Sequence, residues 1–405
     1  MRIRQRQNKV WWIAGIAVVL ILLTIFASAL WATYAPKPSD TATKQQAAPP
    51  AVKPVSLSAN TLFFGNVYWG RYINDWSMKS DLKTAYPFSR LNEFDRQKYD
   101  AWIAGLECPT VAGFTQTSVE EDTTLSFNCN PEYLSEAAKW FTAFTLANNH
   151  TDNRGAEGFT ETKQQLDAHK IQYFGHYDPY LAEDACEVIA LPVKVTYDDK
   201  SVKTEKLPVA LCAYHGVFKI PPANSLAEIA KYAQYMPVIA MPHMGKEYVA
   251  TPDQIKTSTY RAMIDQGADM VLGDHPHWVQ ATEAYKGKLI VYSMGNFIFD
   301  QQDSAEVTRS AGINVVMNTT GVDSAELDKW IELGKTCASF KDNCLETAKA
   351  LQYKKLPMTY QFGVVGTDDG GKIVKPATAA QQSSILQRLN WQTTMSQLQP
   401  PYASL

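Results

Sequence analysis

From about residue 60 onward the chain alternates short apolar runs with longer amphipathic stretches. Helical spacing of apolar residues is clearest at 158–169 and 254–267. Because the apolar runs are as short as buried strands, the alternation predicts an α/β domain with one continuous core. The runs are TLFFG (61–65), WIAG (102–105), FTLA (144–147), LPVALCA (207–213), PVIAM (237–241), DMVLG (269–273) and LIVYS (289–293).

The composition is that of a globular protein. Of 405 residues, 45% are apolar and 20% are charged, which is enough to bury a large core in one domain or two. The net charge is −3, and the rest of the chain sums to −7 once four N-terminal cations are set aside, namely Arg2, Arg4, Arg6 and Lys9. Since no basic stripe accompanies the aromatic residues, we expect no nucleic-acid partner.

The N-terminal segment predicts a membrane anchor. Residues 10–34 carry no charge over 25 positions, long enough to cross a hydrocarbon core of ~30 Å. The four cations precede it, so we expect a single-pass protein of the cell membrane, with residues 1–9 as a cytoplasmic tail and the C-terminal domain extracytoplasmic. Aromatic residues suited to the membrane interface stand at both ends, at Trp11, Trp12, Trp31 and Tyr34.

A cleaved signal peptide is the alternative to an anchor. Ala27, Ser28 and Ala29 resemble the small-residue cleavage site of such a peptide. The apolar part of a signal peptide is normally only ~7 to 15 residues long, however, so the length of the run favours the uncleaved anchor.

Composition also predicts the remaining boundaries. Residues 35–59 are rich in Pro, Ala, Lys and Gln and predict an extended linker that buries no core. One domain is expected over 60–375, with a helical insertion at about 321–356. The Gln-rich residues 376–405 carry no functional signal and are expected to form a C-terminal tail.

Six cysteines show no CxxC spacing. In an extracytoplasmic compartment this favours disulfides over a zinc cluster. Six cysteines allow 15 pairings, and free buried thiols remain an alternative. The close spacings suggest the pairs Cys108–Cys129, Cys186–Cys212 and Cys337–Cys344.

Polar clusters follow the carboxyl ends of the predicted strands, the edge at which open α/β sheets bind ligands. His275 and His277 stand one residue apart directly after a buried run, so both imidazoles can point toward one cavity and bind a transition metal. An acidic oxygen, amide oxygens and imidazoles suit Mn, Zn or Fe better than Mg or Ca. The clusters are Asn66, Glu107, Asn148–His150, His243 and Asp274–His277.

Six blocks of the sequence carry a family resemblance. They are GNVYWGR (65–71), GLECP (105–109), LANNH followed by Gly155, PHMGKEY (242–248), GADMVLGDHPHWVQ (267–280) and YSMGNFIFD (292–300). In this order, over about residues 60–316, they resemble the CapA family of capsule and poly-γ-glutamate synthesis proteins, related to calcineurin-like metallophosphoesterases. The resemblance implies a four-layer α/β/β/α sandwich, here behind a transmembrane helix, with one or two divalent metal ions between strand ends.

The resemblance also implies roles for individual residues. Glu107 resembles a carboxylate that bridges two metal ions, and His150 resembles a general acid for the leaving group. The expected ligands are Asn149, His243 and His275 for one ion and His277 for the other, and Asn66 stands at the position of a further metal ligand. Five more residues are expected around them: Asp274 and Glu247 to orient imidazoles, Arg71 to hold an anionic substrate group, and Asn148 and Asn296 to line the site.

Two positions depart from the family pattern. Where the family has Gly-Asp, this chain has Gly65 and Asn66, so one negative charge is missing beside two cations that repel each other. The third block usually carries Asp three positions after its histidine, and here that position is Asn153. A weakened, mononuclear or non-catalytic site therefore stays open.

The implied activity is metal-dependent hydrolysis or processing of an anionic envelope polymer such as poly-γ-glutamate. A metal lowers the pKa of its bound water to ~7, and an imidazole protonates the departing group. The alternatives are a non-catalytic scaffold of a capsule synthesis or export complex in the membrane, and a phosphoesterase for small molecules. The histidines outside the blocks are expected to be satisfied core or surface residues, namely His169, His176 and His215.

Overall fold

The computed structural model describes residues 52–338 and 343–405. The expected cytoplasmic tail, transmembrane helix and residues 35–51 of the linker lie outside the described residues. Within the two described ranges, no helix has both the length and the apolar character needed to cross a membrane. Residues 52–405 form one compact unit.

Strands occupy every apolar run that the sequence analysis singled out, and the expected α/β alternation is confirmed. Longer strands that the runs did not predict lie between them and after the last of them. The strands are β1 (Pro54–Val67), β2 (Ala101–Leu106), β3 (Ala143–Thr145), β4 (Gln172–Phe174), β5 (Cys186–Tyr197), β6 (Val202–Cys212), β7 (His215–Gly216), β8 (Val238–Ala240), β9 (His243–Met244), β10 (Met270–Leu272), β11 (Gln280–Tyr285), β12 (Lys288–Ser293), β13 (Asn296–Ile298), β14 (Arg309–Thr319), β15 (Met358–Asp368), β16 (Lys375–Pro376) and β17 (Tyr402–Ser404).

The two segments with helical spacing are helices. The second of them begins at Gln254, directly after Asp253, whose side chain accepts a hydrogen bond from the Lys256 amide and so caps the first turn. The helices are α1 (Arg71–Lys79), α2 (Ser118–Thr124), α3 (Leu134–Ala137), α4 (Gly155–Ala168), α5 (Ala223–Leu226), α6 (Glu228–Ala233), α7 (Gln254–Asp265), α8 (Ala305–Thr308), α9 (Ser324–Cys337), α10 (Cys344–Ala350), α11 (Ala379–Leu389) and α12 (Trp391–Ser396).

One large mixed sheet organises the domain, and β1 is its central strand. The longest path through the sheet runs β11-β12-β10-β8-β6-β5-β1-β14-β15-β16. The first part of β1 pairs antiparallel with β5 and β14, and its last part pairs parallel with β2 and β13. Among the described residues, fifteen strands are therefore joined into one hydrogen-bonded network, and β7 and β9 form a separate two-stranded sheet.

Both faces of β1 are buried, so its side chains alternate between two hydrophobic clusters. Ala59 and Phe63 belong to a cluster with β5, β6, β8 and β10. Leu62 and Phe64 belong to the other, which also contains residues of α1, α3 and α4. The end of β1 is thereby held rigidly, and it carries Asn66.

The three expected disulfides are confirmed. Cys108–Cys129 joins the end of β2 to the segment after α2, and Cys186–Cys212 joins paired positions of β5 and β6. Cys337–Cys344 joins the end of α9 to the start of α10. Free cysteines are absent from the described residues.

Two expected boundaries need correction. The linker does not extend to residue 59, because β1 begins at Pro54 and pairs with β5 from there. Residues 376–405 are not a tail, because they form α11, α12 and β17, and β17 pairs with β15. Buried side chains hold this segment to the domain, namely Ile385, Leu389, Trp391 and Tyr402. The region expected as a helical insertion contains α9 and α10, and α9 lies against β6.

Candidate metal centre

Backbone pairing brings the predicted site residues to one edge of the fold. Asn66 at the end of β1 pairs with Gly105 of β2 and with Asn296 of β13. His243 forms a parallel bridge with Asp274. Parallel strands end at the same edge of a sheet, so the polar side chains that follow them meet there.

Asn149, His243 and His275 form a first donor group. His243 Nε2 lies 2.7 Å from Asn149 Oδ1 and 3.1 Å from His275 Nδ1. On the other side of the ring, His243 Nδ1 lies 2.7 Å from Asp274 Oδ1. When the Asp274 carboxylate accepts the Nδ1 proton, Nε2 presents its lone pair to an amide oxygen and a second imidazole.

Asp274 has the contact expected of a residue that orients an imidazole. Its side chain is buried, and burial raises its pKa to about 7. The carboxylate fits only because position 105 is glycine, since a Cβ atom there would lie 2.5 Å from Asp274 Oδ2. Burial also lowers the pKa of His243 well below its usual value, so this imidazole is neutral at pH 7.

Asn66, Glu107 and His277 form a second donor group. His277 Nδ1 lies 2.8 Å from Asn296 Oδ1, and His277 Nε2 lies 3.8 Å from Glu107 Oε1. The Asn66 amide nitrogen donates to Asn296 Oδ1 at 3.1 Å and lies 3.2 Å from His277 Nδ1, which turns the Asn66 oxygen away from both. The group therefore presents an imidazole nitrogen, a carboxylate and an amide oxygen.

Several of these atoms are buried without a hydrogen-bond partner. Among the described residues, both Glu107 oxygens and Asn66 Oδ1 have none. Burial raises the Glu107 pKa well above its usual value, and the nearby Asp274 and Glu247 charges raise it further. Buried acceptors without donors cost ~1–3 kcal/mol each, and a cation at their meeting point would offset that cost. The donor set thus fits a divalent metal ion.

The amide oxygens are necessary to such a site. Within residues 52–338 and 343–405, no three His, Cys, Asp or Glu side chains form a group that could hold a metal ion. A centre here would need Asn149 in one donor group and Asn66 in the other. Imidazole and oxygen ligands together suit Mn, Zn and Fe.

The backbone at the late histidine pair is strained. His275 has φ 89° and His277 has φ 60°, a region that residues other than glycine rarely adopt. Such strain costs about 1–3 kcal/mol per residue and concentrates at functional sites. Here the strained backbone directs two imidazoles, separated by one residue, toward different donor groups.

His150 lies beside the centre in a neutral form. Its Nδ1 lies 3.0 Å from Asn153 Oδ1, and Asn153 Oδ1 also accepts from the Phe127 amide. That oxygen can only accept, so the His150 proton is on Nδ1 and the lone pair is on Nε2. Burial lowers the His150 pKa to about 4. The neutral Asn153 orients the ring but brings no negative charge to favour its protonated form.

Arg71 is already paired. Its guanidinium donates to both oxygens of Asp300, at 2.8 and 2.7 Å, and to Asp122 at 3.2 Å. Only 7% of the Arg71 side chain is exposed. An anionic substrate group would have to compete with two carboxylates for this cation, so the geometry does not favour the expected role.

Three other residues expected around the ligands, Asn148, Asn296 and Glu247, contact different atoms of the site. Asn148 accepts from the His150 amide, and its amide nitrogen lies 3.3 Å from His243 Nδ1. Asn296 holds Nδ1 of His277. Glu247 Oε1 lies 3.9 Å from Nε2 of the same ring. The residue that orients His277 is therefore Asn296, and Glu247 stands at the ligand side of the imidazole.

Two residues at the centre were not predicted from the sequence. Tyr248 stacks on His277, with ring centroids 5.5 Å apart. His215 is buried, and its Nδ1 donates to the Tyr177 carbonyl, yet its Nε2 has no partner in the described part of the chain. The expectation that His215 is fully satisfied was therefore wrong. Its position after the carboxyl end of β6, paired with His243, is the signal that could have identified it.

Comparison with known families identifies the chain. The family model described as "Bacterial capsule synthesis protein PGA_cap" matches residues 60–301, more than half of the sequence. The chain belongs to this family. The matched region of the capsule synthesis family contains every candidate ligand in both donor groups, and the expected kinship with CapA proteins is confirmed.

Two named capsule synthesis proteins are similar to this chain. The chain is 26% identical to the "Capsule biosynthesis protein CapA" of Bacillus anthracis over 62% of this chain and 63% of the relative. It is 27% identical to the "PGA biosynthesis protein CapA" of Bacillus subtilis (strain 168) over 71% of this chain and 72% of the relative. The match thus spans somewhat less than two thirds of the first relative.

Two solved structures share a distant likeness with this family member. A hypothetical protein from Thermus thermophilus has a TM-score of 0.37 and 15% identity, covering 64% of this chain and 92% of its own. TT1561 of the same organism has a TM-score of 0.34 and 12% identity, covering 63% and 93%. Scores this low do not establish a common fold.

Proposed function

We propose that the chain is a membrane-anchored, extracytoplasmic protein of capsule or poly-γ-glutamate synthesis that hydrolyses or processes an envelope polymer with the help of a divalent metal. The observation that carries the proposal is the convergence of buried, donorless acceptor atoms, above all those of Glu107, at one strand edge. Within the described residues these acceptor atoms have no hydrogen-bond partner, and a bound cation would satisfy them.

Each donor group would hold one ion, Mn, Zn or Fe. Asn149, His243 and His275 would bind the first, Asn66 and His277 the second, and Glu107 would lie between the two. When bound, such an ion supplies Lewis acidity to the scissile group and lowers the pKa of water at the site.

The chain itself supplies orientation and a proton. Asp274 holds His243, and Asn296 holds His277, each through Nδ1. His150 would donate a proton from Nε2 to the leaving group. Because Asn153 is neutral and burial lowers the His150 pKa to about 4, an anionic substrate beside the ring must raise that pKa before His150 can act as the acid.

The substrate class follows from charge and from the names of relatives. The Bacillus subtilis relative is named for PGA biosynthesis and the Bacillus anthracis relative for capsule biosynthesis. We infer an anionic polymer such as poly-γ-glutamate, handled beside a capsule synthesis complex in the membrane. Since the chain is itself acidic, bound cations would be the main attraction for such a polymer.

A non-catalytic scaffold is the second candidate. Asn66 and Asn153 favour it, because both place neutral amides where family members carry acids. A scaffold would keep the fold and bind its partners with little or no hydrolysis.

Metal content separates the two candidates. The full-length protein, purified in detergent, is analysed for Mn, Zn and Fe beside a His275→Ala/His277→Ala variant. We expect about one or two ions in the wild type, and loss of most of them in the variant, which lacks a ligand in each donor group. Equal and negligible metal content in both proteins would refute the proposed hydrolase.

Hydrolysis is then measured with poly-γ-glutamate and with a generic aryl phosphate, in the presence of Mn or Zn. Loss of a proton donor typically costs ~10²–10⁴-fold in rate, so His150→Gln should lose that much. Metal binding without any hydrolysis of either substrate would favour the scaffold.

A further inference from the structure

We propose that Phe127 is a positioning residue for His150, and that its ring holds the imidazole with Nε2 available to the leaving group. The inference rests on the proposed function, because it takes His150 as the general acid. Phe127 itself is 3% exposed and belongs to neither donor group.

The Phe127 ring packs directly on the His150 imidazole. The two ring centroids are 4.0 Å apart, and the angle between the ring planes is 30°. At this distance the aromatic ring covers one face of the imidazole. Because protein interiors are packed as densely as organic crystals, such a contact restricts the rotation of the buried imidazole. A side chain of another shape at position 127 would leave room for the imidazole to turn.

A single oxygen atom ties the two residues together. Asn153 Oδ1 accepts a hydrogen bond from the Phe127 backbone amide at 2.8 Å and lies 3.0 Å from His150 Nδ1. This shared acceptor fixes one edge of the imidazole, while the Phe127 ring fixes one face. An imidazole held at Nδ1 presents Nε2 at its other edge. The two contacts together therefore define the direction of the nitrogen that would donate the proton.

The segment that carries Phe127 is held on both sides of this residue. After it, Cys129 forms the disulfide with Cys108. Before it, the Arg154 guanidinium donates to the Ser126 carbonyl oxygen at 2.9 Å. Since Cys108 directly follows the carboxylate expected to bridge two ions, the disulfide also ties the Phe127 segment to the strand end that carries this carboxylate.

Arg71 adds a contact to the same ring. Its guanidinium carbon lies 4.8 Å from the Phe127 ring centroid, and Asp300 fixes the guanidinium through two hydrogen bonds. A cation over an aromatic face is attracted by the electron density of the ring. The cation that is not free for a substrate therefore stabilises the ring that packs on His150.

The test compares two phenylalanines that each pack on a histidine. Phe127→Leu is the variant, and Phe159→Leu is the matched control. Phe159 is also 3% exposed, and its ring centroid lies 4.6 Å from that of His176, a histidine outside both donor groups. Both substitutions remove a buried ring, so a general loss of packing should affect the two variants alike.

Nuclear magnetic resonance of the full-length protein with isotopically labelled histidine gives the first readout. In the wild type we expect a nuclear Overhauser effect between the ring protons of Phe127 and His150, and the tautomer with the proton on Nδ1. In Phe127→Leu the His150 ring signals should shift, because the neighbouring ring current is lost. In Phe159→Leu they should stay as in the wild type. The wild-type spectra are decisive even if a variant does not fold.

Hydrolysis of poly-γ-glutamate in the presence of Mn or Zn gives the second readout. Misplacement of a reacting group by about 1 Å can cost ~10²-fold in rate, so Phe127→Leu should lower kcat by up to that factor with little change in KM. In a His150→Gln background the same substitution should cost nothing further, because two residues that act as one unit are not additive.

The outcomes separate this inference from the proposed function. A wild type without hydrolysis would end the proposed hydrolase, and the resonance signals would still decide whether Phe127 holds His150. Absence of the Overhauser effect in the wild type, or His150 signals unchanged in Phe127→Leu, would overturn the positioning role. A loss of kcat that persists in the His150→Gln background would overturn it as well, since Phe127 would then act through another group.

Discussion

At the scale of single residues, the character of the centre depends on buried groups that lack partners. Glu107, Asn66 and His215 each place an acceptor atom in the interior with no donor in the described residues. Such atoms cost ~1–3 kcal/mol each when nothing offsets them. Several such atoms at one strand edge indicate a functional site. A single bound cation would satisfy them with the fewest additional groups.

His150 predicts a pH-dependent stability. In the folded chain its pKa is about 4, against 6.5 for an ordinary histidine, because burial disfavours the charged ring. Between these values the unfolded state binds a proton that the folded state does not. Stability should therefore fall as the pH drops from 6.5 to 4, by up to about 3 kcal/mol for this residue.

The measurement is urea denaturation of metal-free protein at pH 7 and pH 4, with His150→Gln as the comparison. Between pH 7 and pH 4 the wild type should lose more free energy of unfolding than the variant. The stability of the variant relative to the wild type should therefore rise at low pH. A difference that does not change with pH would contradict the assigned pKa.

Gly105 predicts a second effect at residue scale. A Cβ atom there would lie 2.5 Å from Asp274 Oδ2, so Gly105→Ala must displace the carboxylate that holds His243. We expect a loss of about 1–3 kcal/mol from overpacking, together with weaker metal binding. Chemical denaturation and metal analysis test both. Gly113→Ala serves as a comparison with no atom within 4 Å of the added Cβ, although its φ of +68° adds strain of its own. Normal metal binding in Gly105→Ala would argue against the role of Asp274.

At the scale of elements, β1 connects the two hydrophobic clusters and delivers Asn66 to the centre. Phe64 illustrates how tightly it is held, because its ring stacks on Phe297 at 3.7 Å and meets Trp102 edge-on at 5.1 Å. Position 65 has to be glycine, since a Cβ atom there would lie 2.0 Å from the Gly295 carbonyl oxygen. The strand ends at the centre are therefore positioned by packing that extends well beyond the ligands.

The Cys108–Cys129 disulfide predicts an effect on stability at this scale. It closes a loop between β2, which leads into Glu107, and the segment after α2, across a sequence separation of 21 residues. A double Cys108→Ser/Cys129→Ser variant should lose about 2–4 kcal/mol, because its unfolded state gains conformational freedom. Chemical denaturation measures the loss. The same substitutions at Cys337 and Cys344 give a comparison for a shorter loop, which should cost less. An equal or larger cost there would contradict the loop-length argument.

At the scale of the whole molecule, the C-terminal segment closes the domain rather than trailing from it. The strand β17 runs parallel to β15, and the buried ring of Tyr402 stacks on Tyr360 at 5.1 Å. The Thr282 hydroxyl of β11 donates to the Leu389 carbonyl at the end of α11. Residues far from the centre in sequence therefore complete the sheet on which the centre stands.

Truncation at residue 375 should prevent stable folding. The truncation removes four buried side chains, Ile385, Leu389, Trp391 and Tyr402. Burial of each such side chain contributes ~1.5–3 kcal/mol, and the stability of a typical protein is only ~5–15 kcal/mol. Soluble yield and thermal melting test this. A chain that ends at Ser404 is the control, because Leu405 is 59% exposed. A truncated chain that melts like the full-length protein would show that residues 376–405 are dispensable.

The sequence alone determined the alternation of strands and helices and the strand ends at which polar residues gather, and its close cysteine spacings suggested the three disulfide pairs that the structure contains. Each depends on local patterning or short spacing, as in DMVLG before Asp274 or the separation of Cys337 and Cys344. Only the tertiary structure decided that residues 376–405 close the sheet, that Arg71 is already paired with Asp300, and that Glu247 Oε1 lies 3.9 Å from His277 Nε2. These facts depend on which side chains meet across long separations, and no local pattern records the direction in which a buried group points.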